Sequence, residues 1–310
     1  MRLASLWVLP AIFACTKTPA PPTDSAPAPI ASVTAAPVVD AAAEAAPIVS
    51  PERANIERDF AADPKAQSLA LALFDETGDV AAAEREQTMD GGFRGKLHIL
   101  PALPTGDDRV QLERVLAAAR DYEKFFADVG LKASYRWRNL SFRFFRSASG
   151  PAGHEVPRTT PSAYADGTFT LAFNLKGSLL TTDTGVRETI FHEVFHMNDA
   201  AHGDWSARTL AHDYAAILAK CGAMNVACLR PYAPNDTMVR GGTYYAFEPN
   251  NGVPVREYAA ELALRWYKEQ RAVLRHAPMA AFKCGPAENK RSWNALVKEF
   301  FAIDLVPPCP

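Results

Sequence analysis

Apolar residues recur along the chain in two rhythms. Over residues 107–129, Leu112, Val115, Leu116, Ala119, Tyr122 and Phe126 follow the 3.6-residue period of a helix. Asp107 can cap its start, and Gly130 can end it in a left-handed turn. Residues 168–174 alternate instead, with Phe169, Leu171 and Phe173 on one face and Thr168, Thr170 and Asn174 on the other, as in a half-buried strand. Residues 96–103, with Leu97 and Ile99 on one side, and residues 135–146 also predict strands. Residues 52–90, rich in Ala, Glu and Arg, predict two short helices broken near Pro64 and Gly78, and residues 149–167 predict a loop. A helix starting near Asp183 or Thr184 follows, then one over 206–221 stopped by Gly222, a Pro-, Gly- and Asn-rich loop over 230–253, and a long helix over 254–276. Strand, helix, strand, strand, helix and then mostly helix is an α+β order, with a small mixed sheet preceding a mostly helical C-terminal lobe.

The first fifteen residues stand outside this pattern. Arg2 precedes about a dozen mainly apolar residues ending in Ala14, which is the layout of a bacterial export signal and too short for a mature membrane span. Ile12-Phe13-Ala14-Cys15 resembles a lipobox, and the resemblance implies that Cys15 becomes the lipidated first residue of the mature protein. The competing reading is an ordinary secretory signal with an incidental Cys. Residues 16–50 hold seven Pro and eleven Ala, with few charges and no aromatic ring, so they predict an extended tether rather than a packed core. Thr16, unlike the Asp associated with inner-membrane retention, favours the outer membrane, with the periplasmic or surface face left open. No later stretch reaches 18 uninterrupted apolar residues. The folded part is therefore residues 51–310, with a sheet lobe over about 95–200 and a helical lobe over about 201–310.

A net charge of −2 excludes a nucleic-acid protein that works by bulk charge. Export changes the reading of the five cysteines. With Cys15 lipidated, Cys221, Cys228, Cys284 and Cys309 form an even set that predicts two disulfides. Three pairings are possible. Cys221–Cys228, closing a short loop, and Cys284–Cys309, tying down the tail, are favoured over a Cys-based zinc site, for which no CxxC pair exists.

Candidate chemistry lies in the helix beginning near 183. His192-Glu193-Val194-Phe195-His196 is an HExxH motif. On a helix, positions i and i+4 share a face, so both imidazoles can bind one ion, with Glu193 beside them to take a proton from bound water. Catalytic zinc takes three protein ligands, and two third donors compete. Glu257 and Glu261 are spaced i, i+4 on the last long helix. Two carboxylates on an otherwise apolar face are costly to bury unless one binds a metal and the other accepts an imidazole N–H. His202 is the alternative, since HEVFHMNDAAH matches the metzincin pattern HExxHxxGxxH except for Asp199 at the glycine position. Neither Met224 nor Met238 makes a convincing Met-turn.

HEVFH followed by EYAAE about sixty residues later is similar to the gluzincin arrangement, in detail to the peptidase domain of the anthrax lethal factor type. The resemblance implies a zincin-like fold with an active-site helix, and Zn2+ on His192, His196 and Glu257. It also implies Glu193 as general base on zinc-bound water, Glu261 supporting a ligand histidine, and an oxyanion-stabilising tyrosine shortly before the ligand helix. Gly241-Gly242-Thr243-Tyr244-Tyr245-Ala246 offers two such tyrosines, of which Tyr245 is favoured, at a longer separation from Glu257 than in the family. The expected activity is peptide-bond hydrolysis by an envelope-tethered metalloendopeptidase acting on peptides or proteins, with residues 168–174 as an edge strand that pairs with an extended substrate. The alternatives are a catalytically silent zinc-binding lipoprotein with a partner-binding role, and a zinc hydrolase of a non-peptide amide.

Overall fold

Two short polar side chains start the first helices. Ser50 accepts the Arg53 N–H at 3.2 Å and starts α1 (Pro51–Asp59). Asp63 accepts the Lys65 and Ala66 N–H groups and starts α2 (Pro64–Thr77), which Gly78 ends in the left-handed region. The computed structural model describes residues 50–90, 96–131, 134–149, 154–155, 163–166, 168–239, 242–249 and 252–310. These belong to one unit, Ile48–Pro310. The export signal, Cys15, residues 16–49 of the expected tether and Gly241 lie outside the described residues.

The architecture is mixed α+β. Beyond Gly78 the expected helical stretch gives way to strands β1 (Val80–Ala83) and β2 (Gln87–Asp90), because pairing with other strands overrides the helical preference of the Ala run. Strand β3 (Lys96–Pro101) buries Leu97 and Ile99 as expected. Helix α3 (Arg109–Val129) follows a 3-10 turn over Gly106–Asp108, and Gly130 ends it in the left-handed region. The expected cap Asp107 lies inside that turn, and Asp108 is engaged instead by Arg146 and Lys176.

Strand β4 (Ser141–Ser149) is the hub of the sheet. Its first residues pair in parallel with β1 on one side and with β7 (Thr170–Asn174) on the other. Its later residues pair antiparallel with β3 and, at the end, with the short β5 (His154–Glu155). The expected 149–167 loop also contains β6 (Ala163–Asp166), antiparallel to β7. The principal strand order is β2-β3-β4-β7-β6.

Two expectations for residues 168–174 fail here. Phe169 adopts φ 58°, so the strand starts at Thr170, two residues later than expected, and Leu171, Ala172, Phe173 and Asn174 are all buried because both sheet faces are covered. The strand is also interior. At this end of the principal order β6 is outermost, and β6 lies against the motif helix.

That helix is α4 (Asp183–Ala201), capped by Thr182 Oγ1 at the Gly185 N–H. The chain continues through α5 (Trp205–Thr209), α6 (Ala211–Cys221) and α7 (Val226–Leu229), so the single helix expected over 206–221 is broken at Leu210. It then forms α8 (Pro254–Leu274), α9 (Ala287–Leu296) and a π-helical turn over Val297–Phe301. Helix α4 packs against both α3 and α8. Between them Phe191 stacks on Tyr267 at 4.5 Å, Phe125 meets Tyr267 edge-on at 4.7 Å, and Trp266 stacks on Phe301 at 3.6 Å. One hydrophobic core joins Phe142 and Phe173 of the sheet to these rings. Cys221 bonds to Cys228 and Cys284 to Cys309, the favoured pairing. No helix among the described residues is long and apolar enough to cross a membrane.

Candidate metal centre

Helix α4 sorts its side chains by angle. Ile190, Phe191, Val194 and Phe195 enter the core, while His192 and His196 sit one turn apart on an adjoining stripe. Glu193 lies between them in sequence and is half-buried. Helix α8 brings its first turns against this stripe, with Pro254 fixing the helix start and Tyr258, Leu262 and Trp266 anchoring it in the core. Ion pairs brace the two helices: Lys268 to Glu188 at 2.7 Å, and Arg256 to Asp204, just beyond α4, at 2.8 Å.

Three donor atoms converge there. His192 Nε2 lies 3.1 Å from His196 Nε2 and 3.2 Å from Glu257 Oε2, and His196 Nε2 lies 3.5 Å from the same oxygen. Among the described residues, this is the group of His, Cys, Asp and Glu that can hold a metal ion. The donor spacing tests the fit. Tetrahedral zinc with bonds of about 2.0–2.1 Å requires its ligand atoms to be about 3.3–3.4 Å apart. The three observed separations bracket that value, so the trio outlines one face of a tetrahedron and leaves the fourth vertex to another ligand. Two imidazoles and a carboxylate are also the donor chemistry that zinc takes in hydrolytic sites.

The surroundings hold this face in place. His192 Nδ1 lies 3.3 Å from Glu261 Oε1, so the ring can give its Nδ1 proton to that carboxylate and turn the Nε2 lone pair to the shared point. Asn235 donates from Nδ2 to Glu261 Oε2 at 3.0 Å and to the Glu261 carbonyl at 2.8 Å. Burial opposes charge on both His192 and Glu257, yet their mutual contacts dominate. The facing carboxylates of Glu257 and Glu261 hold His192 well above the ordinary imidazole range, and the two imidazoles hold Glu257 well below the ordinary carboxylate range.

Tyr245 opens a 3-10 turn, Tyr245–Phe247, and its ring centre lies 5.8 Å from that of His192. Tyr244 is buried and bridges to Met238. Of the two tyrosines, Tyr245 is the one placed against the donors.

His202 goes elsewhere. Asp199 makes no turn. It stays helical and accepts the Ser206 N–H and hydroxyl, so α4 runs on to Ala201. The His202 ring is carried past the donors, where Nδ1 meets Glu299 at 2.7 Å and the ring lies 4.7 Å from Phe300. Asn235 was not foreseen: a lone Asn in a Pro- and Asn-rich loop has no periodicity to mark it. A cavity of about 510 Å³ between α1, β1 and the start of β4 is separate from this site, and its walls include Glu52, Asp59, Arg143 and Phe169. No protein-family model matches the chain, and no curated protein or solved structure matches it either.

Proposed function

We propose that this protein is a zinc-dependent peptide hydrolase of zincin type, anchored to the bacterial envelope through lipidated Cys15 and the Ala/Pro-rich tether. The supporting observation is the tetrahedral face made by His192, His196 and Glu257, with an acid, Glu193, next to the first donor on the same helix. Zinc held there would supply Lewis acidity, polarising a scissile carbonyl and acidifying water. Glu193 takes the proton of the attacking water and returns it to the leaving amine. Tyr245, whose ring lies beside that of His192, would donate its hydroxyl to the developing oxyanion. Glu261 keeps His192 in the tautomer whose Nε2 is free to bind. The β6 backbone, paired among the described residues with β7 alone and lying against α4, offers an extended peptide a ladder of hydrogen bonds.

The test measures zinc content and cleavage of casein or peptides for wild type and Glu193→Gln. Both proteins are expected to carry stoichiometric zinc, with kcat reduced by roughly 10²–10⁴-fold in the variant. Zinc binding without Glu193-dependent cleavage would point to the catalytically silent lipoprotein. Absence of zinc from the wild type would refute the metal reading.

A further inference from the structure

Glu261 is held from two directions. One carboxylate oxygen faces His192 Nδ1 at 3.3 Å, and the other receives Asn235 Nδ2 at 3.0 Å. The same Asn235 nitrogen also reaches the Glu261 main-chain carbonyl at 2.8 Å, so the amide bridges the side chain of Glu261 to its own backbone. Asn235 is buried at 7% exposure and Glu261 at 4%, so water competes weakly for these bonds. A free glutamate samples many rotamers, and ordering it costs conformational entropy. The amide absorbs that cost in advance and leaves Oε1 aimed at the ring.

We infer that Asn235 is a positioning residue of the metal centre, acting through Glu261 to fix the tautomer and orientation of His192. The inference rests on the metal reading above and extends it one residue outward, into the loop that also carries Tyr245. An amide suits the position because its NH2 group donates both to the Glu261 carboxylate and to the Glu261 main-chain carbonyl.

The experiment measures zinc affinity by chelator competition in the full chain. It compares wild type, Asn235→Ala, Glu261→Ala and the double variant, each checked for native far-UV circular dichroism without metal. Asn235→Ala is expected to weaken zinc binding roughly tenfold, at the lower end of the 10–100-fold range for partners of ligand histidines. In the Glu261→Ala background the same change is expected to cost less than about twofold, because the partner it works through is gone. Proton–nitrogen-15 NMR of the zinc-loaded protein, in which Nε2 is taken by the metal, should show the His192 Nδ1–H held on Glu261 exchanging faster with water in Asn235→Ala than in wild type. If Asn235→Ala does not fold, Asn235→Ser, which keeps one donor, takes its place with a smaller loss expected. Unchanged affinity in the single variant, or an equal loss in both backgrounds, overturns the inference and leaves the metal reading standing. A wild type that binds no zinc overturns both.

Discussion

Asp79 and Glu257 are acids in poorly hydrated surroundings, pushed in opposite directions by what faces them. Glu257 meets two imidazoles and is held low. Asp79 is 1% exposed, and burial, aided by the negative charge of Glu123, lifts its pKa to about 6. The Leu140 N–H, Thr77 and Arg136 offset this only in part. Its folded value exceeds the ordinary 3.8, so the fold binds the proton more tightly than the unfolded chain does. That contribution is present below pH 3.8 and lost as pH rises through about 6, beyond which the ionised carboxylate costs on the order of 3 kcal/mol. Asp79→Asn is therefore expected to raise Tm by at least about 5 °C at pH 7.5 and to leave it nearly unchanged at pH 4. Equal shifts at both pH values in a melting series would contradict this. Single residues also show what a sequence reveals. His192, His196 and the Glu257–Glu261 pair were legible because i, i+4 spacing is a helix property written in the chain. Asn235 was not, because its partner lies 26 positions away and no period links them.

Elements were legible in proportion to how far local rules set them. Helices α3, α4 and α8 matched their apolar period closely, while the 80–90 strands and β6 depend on pairing with distant partners that no local pattern announces. The misplaced sheet edge has the same origin: alternation describes a strand but not what lies beside it. Covalent links were easier, because four cysteines outside the expected export signal allow only three pairings. They should also differ in weight. Cys221–Cys228 spans 7 positions and Cys284–Cys309 spans 25. On the chain-entropy account these separations correspond to about 2.4 and about 3.5 kcal/mol. The longer link fixes a tail whose Asp304 is bound by Trp293, Lys283 and Gln270. Replacing both cysteines of the tail pair by serine is expected to lower the denaturant midpoint more than the same change in the short loop. The reverse order in chemical melts would count against the loop-length argument.

At the scale of the molecule, the sheet and the helices share one core that runs from Ile56 to Val306. Phe126 of α3 lies near Tyr135, Phe191 and Trp137, and Tyr135 in turn touches Phe301 close to the C-terminus. The middle of the chain and its C-terminal helices thus share rings, and neither half can lose its interior alone. Far-UV circular dichroism and tryptophan fluorescence are expected to report one coincident unfolding transition, and two separated midpoints would show that the lobes are independent. His192 and Glu257 lie 65 positions apart, on two different helices. An ion seated between them on the proposed reading closes that span as a third cross-link, one that can be opened and remade without breaking a covalent bond. On that reading, how long the folded chain resists proteolysis tracks the supply of free zinc around it, and scarcity of the metal would shorten its lifetime as well as empty its site.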